Sequence, residues 1–278
     1  MDTARIADLL QPFLEQSLSE SQLHQISTYV ELLLRWNARI NLTGIRKEEE
    51  IITRHFGESL FLARHLFPAD HGVRTPRSAN TDCTLPSGNS EPLNPGHAER
   101  TDAYPANSRP SSEGVLATPP DPGSIEVLEG GVSKLRLGGG VRVLDIGSGA
   151  GFPALPLKIW SPDLHLTLIE STHKKTAFLR EVARALTLTN IDVITERVEA
   201  LAGRPDLAGA AVVTFRAVER FETVLPRAAA FLAPNATLAL LISEAQIPHL
   251  DTLTILKWQP PIPVPQSLTR VLSIGVRH

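Results

Sequence analysis

With 278 residues, 42% apolar and 21% charged, the chain can build one large or two ordinary domains around a real core, and disorder of the whole is excluded. Lys and Arg number 27 against 30 Asp and Glu, giving a formal charge of -3 and a pI near 6.3, so any polyanion has to meet a local patch. The single cysteine, Cys83, excludes an internal disulfide and a thiolate-built metal site, and no metal is expected. The opening MDTARIADLLQPFLEQ lacks the apolar core of a signal peptide, and nowhere do ~18 apolar residues run together. A cytoplasmic protein with no membrane partner is expected, a monomer by default.

From Ala4 to about Phe67 apolar residues recur three and four apart, which predicts an all-helical N-terminal extension over 1–68. Leu23, Ile26, Val30, Leu33 and Leu34 share one face of a helix that Ser19 and Gln22 open as a capping box. A second helical stretch runs from Glu48 to Phe67, with Arg54, His55 and Glu58 beside its apolar stripe, and Pro68 ends it. Between Pro68 and Pro122 ten prolines stand among Ser, Asn, Thr and Gly, a composition that cannot offset the entropy of ordering. Residues 69–138 therefore read as a disordered insertion.

From Val141 strands alternate with helices, the pattern of a parallel sheet covered on both faces. Strands are expected at 141–146, 165–169, 191–195, 210–215 and 236–242, with helices at 153–160, 172–187 and 219–232. A weak helix after Ser243, a Pro-rich bend at 260–265 and a final strand at 270–276 complete a doubly wound, mostly parallel α/β domain over 139–278.

Chemistry concentrates in Asp145-Ile-Gly147-Ser-Gly149-Ala-Gly151-Phe152-Pro153, which follows a strand and opens a helix. Glycines there let the backbone turn tightly and approach a ligand, and the helix start offers N–H groups to an anion, with Pro153 suited to the first helical position. Glu170, at the end of the next strand, stands where a carboxylate accepts from both hydroxyls of a ribose. A dinucleotide fingerprint would want glycine at 152; Phe152 stands there and would obstruct a pyrophosphate. The G-x-G-x-G form suits S-adenosylmethionine instead, with its adenine against the loop Glu196-Arg197-Val198-Glu199.

These residues, with Arg35-Trp36-Asn37, Asn41-Leu42-Thr43, Arg54-His55-Phe56-Gly57-Glu58-Ser59 and Phe215-Arg216-Ala217, make the chain resemble the bacterial 16S ribosomal RNA guanine-N7 methyltransferases, also called the glucose-inhibited division protein B family. The resemblance covers roughly 19–67 and 141–243. It implies an S-adenosylmethionine-dependent methyltransferase fold, contacts from Gly147, Phe152, Val198, Glu199 and Arg216 to that cofactor, and methyl transfer to the 530-loop guanine of 16S ribosomal RNA, free or in the small ribosomal subunit. Another RNA, a small molecule, or a non-catalytic ribosome-assembly role are the alternatives.

Attack by guanine N7 needs no proton removed first, so no acid or base is expected; Arg216, His55 and Glu58 are candidates for positioning. Asp145, Gly149, Gly151 and Glu170 join the expected cofactor set, and Arg35, Arg39, Arg46, Lys47 and Arg54 form a candidate RNA patch interrupted by Glu48, Glu49 and Glu50. Lys174, Lys175, Arg180 and Arg184 read as the solvated face of a helix. Two positions depart from the family pattern: Glu58 replaces an Asp, and Leu241-Ile242-Ser243-Glu244 lacks the Lys-Gly after the fifth strand. Loss of that cation predicts weaker RNA binding.

Overall fold

The computed structural model describes residues 1–68, 140–218 and 220–278, and the expected insertion at 69–138 lies outside them. Helices α1 (Thr3–Leu10) and α2 (Glu20–Asn37) begin the chain. The capping box forms: Gln22 N donates to Ser19 Oγ at 3.3 Å, and Gln22 Oε1 accepts from Ser19 N at 2.9 Å. Behind that cap, α2 buries Ile26, Tyr29, Val30 and Leu33 along one face.

The expected single helix over 48–67 is instead three pieces: α3 (Glu48–Ile51), a wide π turn (Ile52–Gly57) and α4 (Glu58–Leu66). Gly57 explains part of the departure. A Cβ there would lie 2.6 Å from Phe13 Cε2, so the bare backbone gives the Phe13 ring its seat. Apolar periodicity cannot distinguish a π turn from an α turn over so few residues, and such turns often mark functional sites.

The sheet strands are β1 (Arg142–Ile146), β2 (His165–Ile169), β3 (Ile191–Ile194), β4 (Ala210–Arg216), β5 (Leu232–Ser243), β6 (Leu256–Trp258), β7 (Ile262–Pro263) and β8 (Arg270–Arg277). Their order is β3-β2-β1-β4-β5-β8-β6, with β7 also on β8. The first five are parallel, and β8 runs antiparallel against β5, β6 and β7. Helices α5 (Ala154–Trp160), α6 (His173–Ala185) and α7 (Phe221–Ala230) make the crossovers, and a 3-10 run, Glu244–Thr252, replaces the weak helix expected after Ser243. Pro153 caps α5 rather than filling its first position.

Alternation along the strands divides the core between two faces. Leu144, Ile146, Val213, Phe215, Leu238, Leu240 and Val271 pack with α7 residues on one face. Val143, Leu166, Leu168, Val212, Ala239, Leu241, Leu272 and Ile274 pack on the other with α2, α4, α5 and α6. The helical N-terminal segment and the sheet thus belong to one compact unit. By the same period of two, Asp145, Arg216, Ser243 and Arg270 fall on the face that the N-terminal helices cover. No described helix is long and apolar enough to cross a membrane.

Candidate functional site

A cavity of about 660 Å³ opens at the carboxyl edge of β1, β2, β3 and β4. Open α/β sheets bind ligands at this edge, where the connections diverge to opposite faces. The turn after β1 supplies Gly147, Ser148, Gly149 and Ala150, the chain after β2 supplies Glu170, Ser171 and Thr172, and the β3 loop supplies Glu196, Arg197, Val198 and Glu199.

Glu170 is the organising acid. Its Oε2 accepts from Gly149 N at 3.0 Å and its Oε1 from Thr172 N at 2.9 Å, so the carboxylate is fixed while keeping lone pairs for a ligand. Gly149 has φ +54 and nothing closer than 3.7 Å to a notional Cβ, which leaves the cavity floor open. Gly151 differs. With φ +87, a Cβ there would meet Tyr29 Oη and lie 2.6 Å from Leu155 Cδ1, and Gly151 does not line the cavity. It is a packing glycine that lets α2 close on the turn, whose Ala150 carbonyl accepts from Tyr29 Oη.

Asp145 also lies behind the wall rather than in it. It is buried, and neither carboxylate oxygen makes a hydrogen bond of good geometry among the described residues. Burial pushes its pKa from 3.8 to about 7, opposed by the nearby Ser148 side chain and aided by the charge of Glu170.

Across the cavity, the π turn presents Arg54 and His55. Asn37 shapes the chain opposite them: its Oδ1 accepts from Leu42 N at 2.9 Å and Thr43 N at 3.1 Å, and its Nδ2 donates to Thr43 O at 2.9 Å. That loop delivers Thr43, whose Oγ1 shares a hydrogen bond of 2.7 Å with His55 Nε2. The His55 ring stacks on Phe152 at 4.7 Å, and Phe152 stacks on Tyr29 at 5.3 Å. Phe152 is therefore both cavity wall and core residue. Burial, reinforced by the guanidinium groups of Arg216, Arg270 and Arg54, lowers the His55 pKa from 6.5 to about 3, so the ring is neutral.

Glu58 lies just behind this wall with its side chain 4% exposed, and joins two arginines: Arg216 Nη2 at 3.0 Å and Arg270 Nη1 at 3.2 Å from the same oxygen, Oε2. Arg216 Nη2 also donates to Arg54 O at 2.7 Å. Burial lowers the Arg216 pKa to about 10, against the pull of Glu58, and the group stays charged.

Several expected site residues stand elsewhere. Arg35, Arg39, Arg46 and Lys47 are exposed and outside the cavity. Arg35 pairs with Glu181 at 3.0 Å and Lys47 with Glu50 at 3.5 Å, while Arg46 Nη1 donates to Asn37 O at 3.3 Å. Only Arg54 of that group reaches the wall. Conversely, Lys175, read as part of a solvated face, lines the cavity, as do Thr43, Arg220 and Arg270. Nor is the far edge without a cation, as the sequence at 242–243 suggested. Arg270 is the residue paired with Ser243 in the antiparallel ladder. Sequence gave Thr43 only as part of a motif, and no local pattern marks Arg270, which lies 212 residues from its partner Glu58.

Comparison with known proteins agrees with this architecture. The family model described as rRNA small subunit methyltransferase G (GidB) matches residues 22–73 and 131–253. The protein called Ribosomal RNA small subunit methyltransferase G in Roseiflexus castenholzii is 32% identical over 209 residues, 75% of this chain and 59% of that one. Its namesake in Chromobacterium violaceum is 30% identical, covering 66% of this chain and 54% of that one. The one in Streptococcus pyogenes is 29% identical over 241 residues, 84% and 71% of the two chains. This chain thus spans little more than half the length of the first two relatives. The family match nevertheless runs through the π turn, the glycine turn and the ends of β4 and β5, over more than half of the sequence, and on that ground the chain belongs to the rRNA small subunit methyltransferase G family.

Proposed function

We propose that this protein transfers a methyl group from S-adenosylmethionine to guanine N7 in 16S ribosomal RNA, acting as a cytoplasmic monomer. The observation that carries the reading is a single cavity with a fixed carboxylate at one end and a cluster of arginines at the other. The residues fit the cofactor: Glu170 has free lone pairs facing the cavity for two ribose hydroxyls, Gly147 and Gly149 leave room above the turn, and Val198 and Glu199 border the place for the adenine. The volume suits a ligand of this size.

When bound, the cofactor supplies an electrophilic methyl on a positively charged sulfur. The guanine N7 lone pair needs no base, so the work of the protein is alignment and exclusion of water. Positive charge moves onto the base as the methyl transfers. A neutral His55 beside Phe152 adds no opposing charge there, and Glu58 tempers that of Arg216. Arg54 at the cavity wall then helps to hold the base in line, with Arg216 fixed beside it by Glu58 and by Arg54 O.

A tritium-transfer assay with 30S subunits, free 16S RNA and small metabolites tests this. Incorporation into the RNA of either ribosomal substrate, released as 7-methylguanine, is the expected result. Label in a metabolite would replace the substrate, and binding of the cofactor without transfer to any acceptor would leave an assembly role.

A further inference from the structure

The sheet distributes charge along the cavity in a definite direction. Glu170, Glu196 and Glu199 follow β2 and β3, with Lys175 and Arg197 among them, whereas Arg216 and Arg270 stand at the ends of β4 and β8 on the other side of β1. At that second end a single carboxylate, Glu58, meets Arg216 and Arg270, with Arg54 close enough to act on Arg216 electrostatically. Two guanidinium groups on one acid, with a third from Arg54 nearby, leave excess positive charge against a buried wall. Two nitrogens of Arg216, Nε and Nη1, are moreover buried without a partner among the described residues, although its side chain is only 6% exposed. Buried charged donors left unpaired are costly, and the excess of positive charge favours an anion at this end of the cavity.

We propose that this end of the cavity is a subsite for a backbone phosphate of the RNA, and that Arg270 makes the contact. Arg216 is held by Glu58 and by Arg54 O. Arg270 gives only Nη1 to Glu58, its side chain is 25% exposed, and its remaining fork suits two oxygens of a phosphate. Glu58 is then a positioning residue that keeps both guanidinium groups turned to the cavity. The cofactor's own carboxylate is a poorer occupant. The strand that bears Arg270 is three places from β1, roughly 14 Å between strand axes at about 4.8 Å per strand, and its side chain turns to Glu58 beside Arg216 rather than to the glycine turn.

This assignment rests on the proposed RNA methyl transfer, and the two fail differently. The test compares wild type, Arg270→Gln and Arg270→Lys for binding of a 16S RNA fragment across salt concentrations, for S-adenosylmethionine affinity by calorimetry, and for methylation of 30S subunits. Thermal midpoints check that the variants fold, since Glu58 keeps Arg216 in each. Arg270→Gln is expected to weaken RNA binding roughly tenfold or more and to lower its salt slope by about one unit, with S-adenosylmethionine affinity unchanged. Arg270→Lys should retain the slope. Lost cofactor affinity in Arg270→Gln would overturn the assignment in favour of the cofactor's carboxylate. An unaltered RNA slope and affinity, in a wild-type protein that methylates RNA, would overturn it and leave the methyl-transfer reading standing. A wild-type protein that binds cofactor but neither binds nor methylates RNA would remove both.

Discussion

Glu170 holds the turn and, in the proposed function, the cofactor, so its substitutions separate two effects. Glu170→Ala removes a charged acceptor and frees Gly149 N and Thr172 N, and S-adenosylmethionine affinity is expected to fall by roughly 1.5–3 kcal/mol. Glu170→Gln keeps one oxygen and the shape, and should lose less; equal affinities by calorimetry for wild type and both variants would remove Glu170 from the ribose site. His55 and Asp145 act on stability with opposite signs. His55 titrates at 6.5 when unfolded and about 3 when folded, so the folded state binds fewer protons and its stability falls as pH drops through that window. Asp145 titrates at 3.8 unfolded and about 7 folded, so stability falls as pH rises through its window. Where the windows overlap the two slopes oppose each other, each at most about 1.4 kcal/mol per pH unit. Urea unfolding between pH 3.8 and 6.5 should therefore show Asp145→Asn gaining stability more steeply with pH than wild type, and His55→Asn losing it. Parallel profiles for all three proteins would mean that neither group is buried in the form described.

At the scale of elements, the five parallel strands were legible because each is an apolar run bounded by turn residues, and the capping box because Ser19 and Gln22 are three apart. β6 and β7 were not: three and two residues long, with Pro260, Pro261, Pro263 and Pro265 in and around β7, they pair only with β8. The site divides in the same way. Glu170 follows from its place after a strand, whereas Arg270 is defined by pairing with Ser243 and Glu58, neither of them near in sequence. Gly151 shows the converse, since a motif glycine reads as a ligand contact when its local reason is Tyr29 and Leu155. Gly151→Ala is accordingly expected to destabilise the fold by about 1–3 kcal/mol, through strain at φ +87 and displacement of Tyr29. Tyr29→Phe removes the nearest clashing atom, so the double variant should lose less than the sum of the single changes. Strict additivity in denaturant unfolding would contradict this packing.

For the whole molecule, the boundaries expected at 68 and 139 divide the sequence, while packing joins the two sides of that division into one compact unit. Tyr29, Phe56 and Leu60 share a core cluster with Val143, Phe152 and Phe178. Polar ties accompany that contact: Gln22 Nε2 donates to Ile159 O at 2.9 Å, Trp160 Nε1 to Phe67 O at 2.8 Å and Arg216 Nη2 to Arg54 O at 2.7 Å. At about 1 kcal/mol each, these bonds matter less than the apolar core, but they make slippage between helices and sheet expensive. A single unfolding transition is therefore expected. Two tryptophans can report on it from opposite faces, Trp36 packed edge-on to Phe178 and Trp258 donating to Leu250 O. In variants that keep only one of these tryptophans, fluorescence should give the same midpoint. Because Thr43, Arg54 and His55 line the cavity together with the sheet-edge residues, S-adenosylmethionine at a hundred times its Kd should raise both midpoints together, in proportion to about 2.7 kcal/mol of added stability. An earlier Trp36 transition, unmoved by cofactor, would mean that the N-terminal helices open independently and that the cavity wall carrying His55 belongs to a lid rather than to the core.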